Sequence, residues 1–267
     1  MLPRSRPLLG TYVEATAESA AIIDSGFAAI ERVHMLMSAH EPDSDVSRIN
    51  RFAHLRPIEV DAWTALVIER ALSWSGRSAG EFDVVRAGKA AIASGHLPRH
   101  ADQPEPEAAH WTWLDVQGRS VRLLKPACLD LGGIAKGFAV DRAVTAMRAA
   151  GALLGLVNAG GDLFGFGCKT WPVTVIDPVS RKPSVEMEIR DEALATSALV
   201  DGSAAHLPKQ DRWTSVTVRA SNACDADALT KIVWAGCGDL LASAGASAFG
   251  IRADGKVEEI GKEALAA

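Results

Sequence analysis

The chain has 267 residues, 48% of them hydrophobic and 23% charged, with a formal net charge of −5. That much apolar material supports a sizeable core and excludes a disordered chain. Lysines and arginines are scattered, which excludes a basic surface for nucleic acid, and no segment approaches about 18 consecutive apolar residues, which excludes stable membrane insertion.

The residues up to Gly10 carry charge but no apolar signal core and no lipoprotein cysteine, so a cytoplasmic protein is expected. Cys128, Cys168, Cys224 and Cys237 form no Cys-x-x-Cys pair, so neither a zinc site nor a disulfide framework is indicated. Leu9 to Thr16 alternate in polarity and predict a strand. Ile22, Ile23, Phe27, Ile30, Val33 and Met37 recur at helical spacing and predict an amphipathic helix from Ala20 to Ser38. Residues 41–45 form a turn cluster, and Ser44 or Asp45 caps a short helix reaching Asn50. Pro57 to Val60 reads as a strand, and Asp61 caps a helix over 62–78. Gly80-Glu-Phe-Asp83 follows, and 96–109 reads as a loop. Two short strands flank Gln117-Gly118. A helix over 136–150 stops at Gly151. Strands follow at 153–158, 162–165, 172–177, 184–189, 194–200 and 215–220. The last helix begins at Asp225, and a closing hairpin turns at Asp254-Gly255. Early helices, then strands with helices interleaved, predict an α+β protein, a single domain over 1–267 with mixed or antiparallel sheets.

One segment is more informative than these. Leu129-Asp-Leu-Gly132-Gly133-Ile-Ala135-Lys136-Gly-Phe-Ala-Val-Asp141 reads as strand, tight glycine turn, and helix with a lysine in its first turn. Backbone N–H groups at the positive end of a helix dipole suit phosphate, and glycines there allow positive φ and close approach of a ligand. The spacing is neither that of a Walker P-loop nor that of a dinucleotide fingerprint. The plainer alternative is a turn whose glycines only let a helix pack. A second glycine segment, Asn158-Ala-Gly160-Gly161-Asp162, reads as a ligand loop or a β-hairpin turn, and the two do not exclude each other.

Five ordered segments together resemble the motifs of the ApbE-type FAD:protein FMN transferases. They are Met37-Ser38 with Asp43 to Asn50, Leu129 to Asp141, Asn158 to Asp162, Ala195-Thr196-Ser197, and Ala226-Asp227-Ala-Leu229. The resemblance implies a single α+β domain. It also implies an enzyme that takes FAD and, with Mg²⁺, joins its FMN half through a phosphoester to a Thr or Ser hydroxyl of a target flavoprotein, releasing AMP. It assigns catalysis to His206, Lys136 and Asp227. FAD contacts would come from Met37, Ser38, Asn50, Gly132, Gly133, Lys136, Asn158, Gly160, Gly161, Asp162 and Ser197. The family's metal contacts fall on Asp227 and the Ala135 carbonyl, and Thr230 is the candidate for a further ligand. Each has a plainer alternative: Met37 as core, Asn50 as a helix C-cap, Asp162 as a turn cap, Lys136 as a surface lysine. Two departures stand out. After His206 the chain reads Leu-Pro-Lys-Gln-Asp211 rather than the family's Asp-Pro-x-Thr-Gly. Lys231 replaces the Thr or Asp that the family places four residues after its metal aspartate, and an ammonium cannot ligate Mg²⁺. Either Thr230 or Asp225 rebuilds the site, or Lys231 partly replaces the metal's charge. An FAD pyrophosphatase yielding FMN and AMP, and an FAD-binding protein without catalysis, remain as alternative functions.

Overall fold

The computed structural model describes residues 1–103, 105, 109–199, 210 and 212–261. In chain order the elements are β1 (Leu2–Leu8), β2 (Thr11–Ala17), α1 (Ala20–Met37), α2 (Asp45–Phe52), β3 (Ile58–Glu59), α3 (Ala62–Arg77), α4 (Val84–Ala93), β4 (Leu114–Gln117) and β5 (Ser120–Leu123). Then come α5 (Ala135–Ala149), β6 (Gly155–Ala159), β7 (Asp162–Phe166), β8 (Trp171–Ile176), β9 (Pro183–Ile189), β10 (Glu192–Ala198), β11 (Ser215–Ala220), α6 (Ala223–Trp234), α7 (Leu240–Ser243), β12 (Ser247–Ile251) and β13 (Val257–Ile260). The protein is α+β, and the strand pairs are antiparallel. The chain divides into two compact units: Met1–Glu31 with Lys136–Ala267, and Arg32–Ala135.

The first unit is built on an eight-stranded sheet, ordered β1-β2-β6-β7-β10-β11-β12-β13 among the described residues. Its amino-terminal strand is one arm of a hairpin. β1 pairs with β2 across Leu9 and Gly10, both at positive φ. β6 and β7 meet through Gly160 and Gly161, at φ 64° and 98°, which is the backbone a two-residue hairpin turn demands. A Cβ on Gly160 would also lie 2.6 Å from the Thr11 hydroxyl. β7 is buried at every position, as expected of a central strand covered on both faces. Leu163 and Leu194 of the large sheet cluster with Trp171 and Ile189 of the separate β8–β9 hairpin. α6 packs on β7, β10 and β11. All of its residues but Lys231 are buried, so it is a core helix rather than an amphipathic one.

The second unit carries α2, α3, α4 and the sheet β3-β5-β4. Its helix starts follow from short polar side chains. Ser44 accepts from the Ser47 N–H at 3.0 Å and Asp61 from Trp63 at 2.9 Å. Asp45 is not the cap; its carboxylate accepts from the Thr64 hydroxyl at 2.7 Å and the Asp61 N–H at 2.8 Å. Asp83 caps α4, a helix the sequence patterning did not reveal, by accepting from Val85 and Arg86, each at 2.9 Å. The expected strand before the glycine turn is absent: residues 127–131 join no ladder. Their backbone groups go elsewhere. The Asn50 amide bonds both the N–H (2.7 Å) and the C=O (3.0 Å) of Leu129, and Asp130 donates its N–H to Val84 at 2.9 Å. No helix among the described residues is long and apolar enough to cross a membrane.

Candidate functional site

α5 begins in a tight turn. The Leu131 carbonyl accepts from Ile134 at 3.0 Å and Ala135 at 2.8 Å, and the Gly132 N–H donates to Asp130 at 2.8 Å. Neither Gly132 nor Gly133 has positive φ, so the left-handed backbone expected of this pair is not what the turn requires. The glycine that must lack a side chain is Gly137. A Cβ there would overlap the Ala223 carbonyl and come within 2.9 Å of Asp227 Cβ. The missing side chain brings the start of α5 against the start of α6, and the Gly137 N–H donates to Asp227 Oδ2 at 3.2 Å. One turn later both oxygens of Asp141 accept from α6, from the N–H groups of Ala223 (2.8 Å) and Cys224 (2.9 Å). These are donors that a helix start leaves without partners. Burial pushes the Asp141 carboxyl up to about 6 despite those two bonds. The sequence contained Gly137 and Asp141 within the glycine segment, but no local signal showed which distant helix they meet. α6 itself starts at Ala223 rather than Asp225, because Asn222 accepts from the Asp225 N–H at 2.8 Å and caps it.

This arrangement gathers two carboxylates and two ammonium groups. Lys136 Nζ pairs with Asp162 Oδ2 and lies 3.9 Å from Asp227 Oδ1. Lys231 Nζ pairs with that same Asp227 Oδ1 and donates to the Asp227 carbonyl at 3.0 Å. The carboxylates are 1% and 0% exposed, while Lys136 is one-third exposed. Burial disfavours the Lys136 charge, but the Asp162 and Asp227 carboxylates outweigh it and hold the ammonium above its usual range. Asp162 is raised, by burial first and then by the like charge of Asp227. Asp227 is lowered: burial opposes its charge, and Lys136 and Lys231 together overcome that. Asp162 Oδ1 is buried with no hydrogen-bond partner among the described residues. Asp162 is therefore not a turn cap. That task falls to Asn158, which accepts from the Gly161 N–H at 3.0 Å.

Beside the quartet, the Thr230 hydroxyl donates to the Asp227 carbonyl at 2.7 Å and meets Ser197 Oγ at 2.7 Å, tying α6 to β10. Thr230 is fully buried and lies beside Asp227, the position expected of it. With the Lys231 ammonium on two Asp227 oxygens, the site as it stands does not fit Mg²⁺. No group of three or more His, Cys, Asp or Glu side chains among the described residues could hold a metal.

The remaining expected residues belong to the second unit or fall outside the description. Met37 is buried at the end of the α1 apolar stripe. Ser38 is half-buried, and its hydroxyl accepts from the His40 N–H at 3.3 Å. Asn50 is not a helix C-cap, a position held by Ala53; it clamps Leu129. Gly132 is exposed and Gly133 half-buried, and Ala135 opens α5. His206 and Asp211 lie outside the described residues.

A family model described as the ApbE family matches residues 9–236. A curated relative, FAD:protein FMN transferase of Treponema pallidum (strain Nichols), is 27% identical over 256 residues, spanning 80% of this chain and 70% of that protein. The solved structure of Flavin Transferase ApbE from Vibrio cholerae superposes with a TM-score of 0.83 at 22% identity, covering 98% of this chain and 97% of that one. The crystal structure of the ApbE protein of Thermotoga maritima gives 0.84 at 24% identity, covering 97% and 96%. These structural likenesses are evidence of the fold.

Proposed function

The chain belongs to the ApbE family, and we propose on that premise that it is an FAD:protein FMN transferase, the activity named for its curated relatives. In this reading a Thr or Ser hydroxyl of a target flavoprotein attacks the FMN-side phosphorus of FAD. The phosphoester bond forms, the pyrophosphate P–O bond breaks, and AMP leaves, with the hydroxyl proton passing to a base or to the leaving phosphate. Such a displacement needs oriented donors and charge neutralisation at the phosphates.

One observation carries the reading: Lys136 is paired to Asp162 and poised beside Asp227, so that three separate motif segments meet at one ammonium. A partly exposed cation on a buried anionic base suits a pyrophosphate contact. Ahead of α5, Gly133 supplies a backbone N–H group, Gly132 keeps the backbone open while its own N–H is held by Asp130, and the Gly160-Gly161 turn allows close approach to the backbone at the rim of β6 and β7. FAD contacts are assigned also to Met37, Ser38, Asn158 and Ser197, and the base to His206. Asn50 serves by positioning Leu129 ahead of the turn. Mg²⁺, which the resemblance implies, would use Asp227, the Ala135 carbonyl and Thr230 and would supply charge neutralisation. Because the donor set does not fit it, no step is routed through a metal. A cytoplasmic location is part of the proposal.

The test is direct. Purified protein, FAD and several flavin-acceptor domains, with Mg²⁺ or with EDTA, are expected to give an acceptor mass increase of one FMN and a matching quantity of AMP. If no adduct forms with any acceptor under either condition, the transferase reading is wrong. Release of AMP without an acceptor identifies the pyrophosphatase instead.

A further inference from the structure

We propose that Lys231 is a built-in replacement for a divalent cation: its ammonium occupies the cation position of Asp227, and removing it opens a metal site there. Asp227 and Lys231 stand one turn apart on the same side of α6. The ammonium reaches a carboxylate oxygen and, at 3.0 Å, a main-chain carbonyl oxygen. One carboxylate and one carbonyl are the kinds of donor that a hard cation takes. This is not a solvated surface pair. Asp227 is fully buried, Lys231 is 11% exposed, and the rest of α6 is buried around them. The carboxylate therefore has no water to fall back on and must keep a cation.

Charge counting points the same way. Asp162 and Asp227 are balanced by Lys136 and Lys231. A divalent ion added to that neutral set would place two uncompensated positive charges against the core. A neutral side chain at 231 would leave one net negative charge, with the unpartnered Asp162 Oδ1 as a further oxygen. The site as built repels a divalent metal, and the same site without the ammonium attracts one. Lys231 is thus a positioning residue that acts through Asp227. Its bearing on FAD rests on the proposed function, whereas its exclusion of metal does not.

The experiment uses the full chain and Mn²⁺ alone, read by loss of the free-ion electron paramagnetic resonance signal. The wild-type protein is expected to take up none, Lys231→Thr about one equivalent, and Lys231→Thr/Asp227→Asn none again. Lys231→Ala serves as a second variant, with folding checked by circular dichroism. Uptake of one equivalent by wild type that Asp227→Asn abolishes overturns the proposal, as does a folded Lys231→Thr or Lys231→Ala that takes up none. A merely structural lysine would change stability without creating Mn²⁺ uptake. In a second arm, the FAD affinity of wild type is expected to change less than about twofold on chelation, while that of Lys231→Thr falls when metal is removed. Collapse of wild-type FAD affinity on chelation overturns the proposal. If wild type binds no FAD under either condition, the reading of the site as an FAD site fails, and the Mn²⁺ arm still decides the role of Lys231.

Discussion

Lys136 is only partly buried, yet its amine faces two carboxylates that do not reach solvent. That asymmetry decides what its loss would do. Lys136→Met strips the partner from Asp162 and is expected to destabilise the fold on the order of 3 kcal/mol, measured by urea unfolding. Lys136→Met/Asp162→Leu removes both charges and is expected to recover most of that loss; equal loss in the single and double variants would show that the pair is not coupled. The residue types at this site were legible in the sequence because the motif segments carry them in order. Their pairing was not. A lysine in the first turn of a helix has the same local signature whether it points to water or to Asp162, and Lys231 shows only a four-residue interval from Asp227. Asn50 illustrates the same gap: near a helix end it resembled a cap, but its amide serves Leu129, 79 positions away.

Elements were legible wherever local pattern and tertiary need agreed. α1, with its apolar stripe, and the capped starts of α2 and α3 formed as the sequence indicated. α4 was hidden because its buried face is Val84, Val85, Gly88 and Ala91, small residues with an interior glycine that weakens any helix signal. That glycine is needed, since a Cβ on Gly88 would overlap the Cys128 carbonyl. β1 was hidden for the opposite reason. It is an edge strand, mostly exposed, with two prolines and no apolar alternation, and its Arg4 and Arg6 pair with Asp24 and Glu31. Between α5 and α6 the decisive residue is Gly137. Gly137→Ala pushes a methyl group into backbone rather than into a movable side chain, so a loss of about 2 kcal/mol or more is expected in thermal or urea unfolding. A variant as stable as wild type would show that the two helices can separate at little cost.

At the scale of the whole molecule, Asp141 makes folding stability depend on pH. Its folded pKa of about 6 lies above its ordinary value of 3.8, so the folded chain holds that proton more tightly than the unfolded chain does. Its contribution is therefore fully present below about pH 4 and is lost as pH rises through 6, by at most about 3 kcal/mol. Urea unfolding between pH 4 and 7 is expected to show wild type losing stability relative to Asp141→Asn across that window and holding level above it; a constant difference would contradict the assignment. The sequence by itself determined the class of the fold, the order of its motifs and the chemical types at the site, because hydrophobic periodicity, caps and turn glycines act over a few residues. The tertiary structure decided which charges neutralise one another, which glycine permits two helices to touch, and that a lysine holds the aspartate expected to hold a metal. Buried charge is stabilised only by partners in space, and those partners come from segments far apart in the chain.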